Sequence, residues 1–270
     1  MRRRGGFAGG GEDQAVTNVI VIRAFDNFMY LHPCGDGSAF AIDPGDAAAV
    51  SRALDEHGLT LAAILVTHHH WDHVGGVADL QSKTKCEVIG VDRALIPASD
   101  RTVTDGDVLT VGDVTIDVIA TPGHTRTSVC YHIPASDSRH GVAYTGDTLF
   151  VGGCGRLLEC DAATMWRSLQ KLAALPDETL VYCGHDYTLE NYEFAASIDP
   201  ANRRFRERLA EVHKTVEYGR LTVPSTIAQE KAANIFLQAD HPQIQTALGM
   251  AGAQPEEVFA ELRRRKDLFG

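Results

Sequence analysis

No run in this sequence approaches the roughly 18 uninterrupted apolar residues that a bilayer-spanning helix requires. Positive charge is also short. Lys and Arg total 25 against 36 Asp and Glu, a net charge of -11. That balance argues against a general binder of nucleic-acid phosphates and against a nuclease, which would need a basic groove, but it leaves room for a small anionic substrate held by a few local cations. Cysteine is sparse and unpaired. The six, at positions 34, 86, 130, 154, 160 and 183, form no C-x-x-C pair, and several interrupt apolar strands. Reduced thiols in a cytoplasmic protein are expected in place of a disulfide framework. No repeat of solenoid period occurs, and no low-complexity tract beyond a glycine-rich start. Met1-Arg2-Arg3-Arg4-Gly5-Gly6 has the cations of a signal peptide but no apolar core behind them, so residues 1–15 read as a flexible tail.

What is present is an ordinary globular composition, 44% hydrophobic and 23% charged over 270 residues. That is enough for one large domain, or a medium one with a smaller partner. Short apolar runs separated by Gly and Asp turns predict strands at 16–22, 40–42, 62–66, 114–120, 129–133, 142–144 and 180–182. Helices are predicted at 47–57 and 162–175, the latter capped by Asp161. Strands interleaved with helices imply an α/β layered domain. After about residue 187 the strand signal fades, and 189–198, 201–218, 226–237 and 256–269 read as amphipathic helices. Thr226 and Gln229 have the spacing of a capping box. The last 80 or so residues therefore read as an all-α appendage.

Twelve histidines are the feature to follow. Four times an apolar strand stops and metal-ligand side chains follow at once. Ile64-Leu65-Val66-Thr67 runs into His68, His70, Asp72 and His73; Val118-Ile119-Ala120-Thr121 runs into His124; Val142-Ala143-Tyr144-Thr145 runs into Gly146-Asp147; and Leu180-Val181-Tyr182-Cys183 runs into Gly184-His185. Ligands at the strand ends of one sheet can converge on one edge, held more firmly than on free loops. Five imidazoles and two carboxylates are the number that serves two divalent ions with three private ligands each and one shared carboxylate. Such a set suits zinc first, with iron or manganese as alternatives. For His32, His57, His69, His132, His140, His213 and His241 an ordinary core or surface role is the expectation.

Thr67-His68-His69-His70-Trp71-Asp72-His73 resembles the H-x-H-x-D-H signature of the metallo-β-lactamase superfamily. More narrowly, the chain resembles glyoxalase II, the hydroxyacylglutathione hydrolases. Asp26-Asn27-Phe28-Met29-Tyr30, Thr145-Gly146-Asp147-Thr148-Leu149-Phe150, Gly152-Gly153-Cys154-Gly155-Arg156, Cys183-Gly184-His185-Asp186-Tyr187-Thr188, Val223-Pro224-Ser225-Thr226 and Lys266-Asp267-Leu268-Phe269 match that family in order. The resemblance implies an αββα metallo-β-lactamase sandwich over 16–187 and a C-terminal all-α, substrate-binding domain over 188–270. It implies that His68, His70 and His124 hold one metal, that Asp72, His73 and His185 hold the other, and that Asp147 bridges them. Arg156, Tyr187, Arg263 and Lys266 fall at positions that contact glutathione. The chain departs from the family at Leu158, where an aromatic is common, at Thr127-Ser128, in place of Gly-His, and at Ile235 and Gln238, in place of Pro and Arg.

The activity so implied is a two-metal thioester hydrolase acting on S-D-lactoylglutathione in methylglyoxal detoxification, with Asp72 and Asp147 as the catalytic carboxylates. The expected partner is the glutathione thioester alone, with neither nucleic acid nor membrane, and the expected state is a monomer. Two alternatives are a persulfide dioxygenase with a single Fe(II) and a non-catalytic metal-binding module. The first conflicts with the Asp72, His73 and His185 set, and the second has no use for a full set of ligands.

Overall fold

A computed structural model describes residues 18–24, 26–136 and 139–269; the expected tail at 1–15 lies outside the described residues. The first sheet is built by β1 (Ile20–Ala24), β2 (Asn27–Pro33), β3 (Ser38–Ile42), then, across α1 (Ala47–His57), β4 (Thr60–Leu65), and, across the short α2 (Trp71–Val74) and α3 (Val77–Thr84), β5 (Glu87–Gly90) and β6 (Arg101–Thr102). Its strands lie in sequence order, antiparallel up to β3 and parallel from β3 onward. The helical connections make the parallel half possible, since a parallel pair needs a long crossover.

The second sheet starts with β7 (Val108–Val111), β8 (Val114–Ala120), β9 (Val129–Ile133) and β10 (Val142–Gly146). A small hairpin follows, β11 (Leu149–Phe150) and β12 (Gly153–Cys154). Next come α4 (Ala162–Ala173), β13 (Leu180–Cys183), α5 (Thr188–Ile198), α6 (Arg203–Glu217), β14 (Ser225–Thr226), α7 (Ile227–Ala233), a 3-10 turn at Ile235–Gln238, α8 (Pro242–Leu248) and α9 (Pro255–Asp267). The sheet order is β14-β13-β10-β9-β8-β7.

Side-chain alternation assembles the layers. Phe28 and Tyr30 of β2, Phe40 and Ile42 of β3, Tyr131 of β9, Tyr144 of β10 and Tyr182 of β13 fill the space between the sheets. Their strand neighbours Met29, Leu31, Ala39 and Ala41 face α1 and α3 on the outside of the first sheet. Cys130 and Val181 face Met165, Leu169, Phe194, Phe236 and Phe259 on the outside of the second. Each sheet is therefore buried on both faces, which gives the αββα order of layers.

Two expectations need correction. The C-terminal region is not purely helical, because Ser225 and Thr226 add an edge strand to β13. The helix expected over 226–237 is two pieces. Thr226 and Gln229 do form the capping box, but Asn234 leaves the helical region at φ -87°, ψ 112° and its side chain caps the following 3-10 turn through the Phe236 amide.

Candidate metal centre

β4 brings His68 to one edge of the sandwich from the first sheet, and β8, β10 and β13 bring His124, Asp147 and His185 to it from the second. The centre thus straddles both sheets, where the sequence suggested one. Gly146 makes the close approach possible. It sits at φ +46°, and a Cβ there would fall 2.4 Å from Thr67 Oγ1.

The ligand atoms of His68, His70 and His124 lie within 4.8 Å of one another, and so do those of Asp72, His73 and His185. Asp147 touches both groups. Its Oδ1 is 3.4 Å from His73 Nε2, and its Oδ2 is 3.4 Å from His124 Nε2 and 3.3 Å from His185 Nε2. Asp72 Oδ2 lies 3.3 Å from His185 Nε2. Within the sets, nitrogen faces nitrogen: His124 Nε2 and His70 Nδ1 are 2.9 Å apart, and His73 Nε2 and His185 Nε2 3.3 Å.

Three of the outer nitrogens are already engaged. His73 Nδ1 is 3.0 Å from Asp43 Oδ2, and His124 Nδ1 donates to the Arg156 carbonyl at 2.9 Å. His68 Nδ1 lies 3.0 Å from Thr67 Oγ1, while its buried Nε2 has no hydrogen-bond partner. A buried imidazole nitrogen without a partner is costly unless something else fills the role. Outer hydrogen bonds of this kind fix the tautomer that leaves the inner nitrogen free for a metal. The donor set therefore fits divalent ions.

Electrostatics agree. Burial, then neighbouring imidazoles, drive His68 and His70 below the ordinary histidine value, and burial lowers His124 despite Asp147. His73 and His185 go the other way. Burial would lower both, but Asp147, with Asp43 for His73 and Asp72 for His185, outweighs it and takes His185 to about 9. The clustered carboxylates thus favour positive charge at this point, which a divalent ion would supply.

Above the ligands opens a cleft of about 400 Å³, bordered by His70, Asp72, His124, Asp147 and His185 and walled by Arg156, Leu158, Tyr187, Glu190, Arg263 and Lys266. All four residues expected to bind substrate thus border the space that the metal set faces. Tyr187 stacks on His185 at 4.9 Å and 8°. Lys266 Nζ stands 3.7 Å from Glu190. Arg263 is buried and engaged by Asp267 and by the Cys154 carbonyl. A second cleft, of about 340 Å³ around His32, Pro33 and Val114, lies away from these ligands.

Sequence reasoning passed over three supporting residues. Asp43 accepts from Thr67 N at 2.7 Å, from Thr67 Oγ1 at 2.6 Å and from His73. It follows β3 directly and so obeys the strand-end pattern that marked the candidate ligands. Asn27 Nδ2 donates to Asp72 Oδ2 at 3.2 Å. His69, given an ordinary role, pairs with Glu159 at 3.3 Å beside the cleft.

Known proteins resemble this chain over most of its length. A family model described as the metallo-beta-lactamase superfamily matches residues 16–185, and one described as hydroxyacylglutathione hydrolase C-terminus matches residues 186–269. The hydroxyacylglutathione hydrolase of Maricaulis maris is 47% identical over 257 residues, covering 93% of this chain and 99% of that protein. That of Rhizobium etli is 47% identical over 247 residues, covering 90% and 95%. Among solved structures, ETHE1 from Myxococcus xanthus superposes with a TM-score of 0.64 at 26% identity, over 93% of this chain and 94% of that one. TTHA1623, solved in a di-iron-bound form, superposes with a TM-score of 0.58 at 25% identity, over 81% and 99%.

Proposed function

The chain belongs to the hydroxyacylglutathione hydrolase family of the metallo-beta-lactamase superfamily, and from that membership we propose that it hydrolyses S-D-lactoylglutathione and related 2-hydroxyacyl-glutathiones to the 2-hydroxy acid and glutathione. The observation that carries this reading is the convergence of seven imidazole and carboxylate side chains beneath a cleft walled by Arg156, Arg263 and Lys266.

In this reading His68, His70 and His124 hold one divalent ion, Asp72, His73 and His185 hold a second, and Asp147 belongs to both. Zinc suits the set best, with iron or manganese acceptable to the same ligands. When bound, the ions supply activation of water at neutral pH and polarisation of the thioester carbonyl. Asp72, kept ionised by His185 and by the Asn27 amide, accepts a hydrogen bond from the incoming water and orients it. The leaving thiol has a pKa of about 8.5 and departs as thiolate without a proton from the protein. Tyr187, Arg156 and Lys266 hold the tripeptide, whose carboxylates match the two cations.

We divide the chain at residue 187 into a catalytic unit and a helical unit that completes the cleft. The six cysteines are free, which suits the cytoplasm. Metal analysis with a thioester assay tests the proposal: close to two divalent ions per chain and loss of thioester absorbance with S-D-lactoylglutathione are expected. One iron per chain, with oxygen uptake on glutathione persulfide, overturns it.

A further inference from the structure

Between Asp147 and Arg156 the chain makes the β11–β12 hairpin, whose strands are two residues each. Strands that short cannot satisfy their own backbone or stand alone. Side chains from beyond residue 187 do it for them. Asn234 Nδ2 donates to the carbonyls of Phe150 at 3.3 Å and Gly153 at 2.9 Å. Asn191 Nδ2 donates to Val151 O at 3.1 Å, and the Gly152 amide donates to Glu230 Oε2 at 2.8 Å. Arg263 Nη1 donates to Cys154 O at 2.9 Å. Five consecutive residues, 150 to 154, each give a backbone polar group to this clamp.

The clamp is buried and tight. Asn191, Glu230, Asn234 and Arg263 are at most 5% exposed. Asn234 also donates to Glu230 Oε2 at 2.9 Å, while its own oxygen accepts from Phe236 N, which fixes the amide's orientation. At Gly153 a Cβ would sit 2.3 Å from Asn191 Nδ2, so this approach admits no side chain.

Both ends of the hairpin enter the metal centre. Asp147 precedes it with only Thr148 between, and the loop is closed by Gly155 N donating to Thr148 O at 3.3 Å. The next carbonyl, of Arg156, receives His124 Nδ1. We propose that Asn234 and Glu230, with Asn191, are positioning residues for the metal centre: through residues 150–154 they hold Asp147 and the carbonyl that orients His124, so the helical region governs metal retention and turnover as well as substrate capture. The inference rests on the reading of Asp147 and His124 as metal ligands.

Asn234 and Glu230 do not border the cleft, so their effect on turnover cannot come from a lost substrate contact. Outer partners of ligands are worth about 10- to 100-fold in metal affinity or activity. Zinc-loaded Asn234→Asp and Glu230→Ala should lose Zn²⁺ to a chelator at concentrations about 10-fold lower than the wild type, with kcat reduced and KM changed less than about 3-fold. A glutamine keeps the oxygen that accepts from Gly152 N and Asn234 Nδ2, so Glu230→Gln should restore both properties. Asn202→Ala, which removes the side-chain cap of α6 on the Arg204 and Phe205 amides and touches no hydrogen bond of the hairpin, should lower Tm and leave zinc retention and kcat alone.

Should the clamp variants not fold, the wild type still decides, because coupling is reciprocal. Stripping zinc should speed hydrogen exchange at the Gly152 amide about 10-fold without changing amides in the middle of α6. Folded clamp variants with wild-type zinc retention and kcat, or a Gly152 amide indifferent to zinc, overturn the inference. A wild-type protein that takes up no zinc overturns instead the ligand reading on which it rests.

Discussion

At Asp43 one carboxylate organises two neighbours: its Oδ1 accepts from the Thr67 amide, and its Oδ2 accepts from both the Thr67 hydroxyl and His73 Nδ1. The residue is buried, and its backbone is held at φ +48°, a conformation that a non-glycine residue adopts only where its surroundings enforce it. Asp43→Asn keeps the shape but weakens the hold on His73, so zinc retention should drop by about 10- to 100-fold in chelator competition. Retention equal to wild type would mean that His73 is positioned by packing alone. His32 gives a second prediction, on stability. It is buried against Phe40 and Tyr144, and burial lowers its pKa from 6.5 to about 4. The unfolded chain takes up that proton below pH 6.5 and the folded one only near 4, so the contribution is complete above 6.5 and disappears as the pH falls between those values. A displacement of this size is worth about 3 kcal/mol. Urea denaturation at pH 7 and pH 4.5 should show His32→Gln losing less stability on acidification than the wild type; equal losses would remove the assignment. At this scale the seven proposed ligands were legible because each follows an apolar run within a few residues. Asp43 obeys the same rule but stands beside no histidine in sequence, and the partners of Asn27 and Glu159 lie 45 and 90 residues away along the chain (72 − 27 and 159 − 69).

Helix α9 shows what periodicity can and cannot say. Arg263 and Lys266, three positions apart, do border the cleft together, while Arg264 and Arg265 turn away to Glu261. Periodicity gave the shared face but not the depth. Arg263 lies beneath the rim with its guanidinium over Phe236 and bonded to Cys154 O, whereas Lys266 reaches the opening, 3.7 Å from Glu190 and over the Phe269 ring at 5.5 Å. The two should behave differently on truncation. Lys266→Ala removes a charge-assisted contact worth about 1.5–3 kcal/mol, or about 10- to 150-fold, and since that contact is remote from the thioester it should raise KM and leave kcat nearly unchanged. Arg263→Ala leaves the Cys154 carbonyl without its donor and should lower Tm and kcat as well. Arg265→Ala serves as the control outside the cleft. Steady-state kinetics with an unaltered KM in Lys266→Ala would exclude it as a substrate contact. Elements buried on both sides were the hardest to read. β2 carries Asn-Phe-Met-Tyr-Leu-His-Pro, with no polar alternation to mark a strand, because one face meets the inter-sheet core and the other the layer under α1. The break at Asn234 escaped notice for a different reason: the asparagine faces a hairpin more than 80 positions earlier, and helical periodicity carries no trace of it.

Over the whole molecule, the region beyond residue 187 is joined to the sandwich by every kind of interaction that the fold uses. Ser225 and Thr226 extend the second sheet past β13. Phe194, Phe236, Phe259 and Leu262 cover Met165, Leu169 and Val181 on that sheet's outer side. Asn191, Glu230, Asn234 and Arg263 satisfy the hairpin between Asp147 and Arg156. A chain ending at residue 187 would therefore expose an apolar face, an unpaired strand edge and five unsatisfied backbone groups at once, conditions that favour aggregation. Such a truncation should be insoluble or, if recovered, should retain Zn²⁺ poorly and hydrolyse glutathione thioester at a small fraction of the wild-type rate. Adding residues 188–270 as a separate chain tests the same point from the other side. Because the contacts are an edge strand and a continuous apolar layer, and not a hinged lid, mixing the two purified pieces should restore little activity unless they refold together. A soluble piece of 1–187 with wild-type kcat/KM would show that the cleft is complete without the helices, and with it the clamp on the hairpin would lose its role in the metal centre.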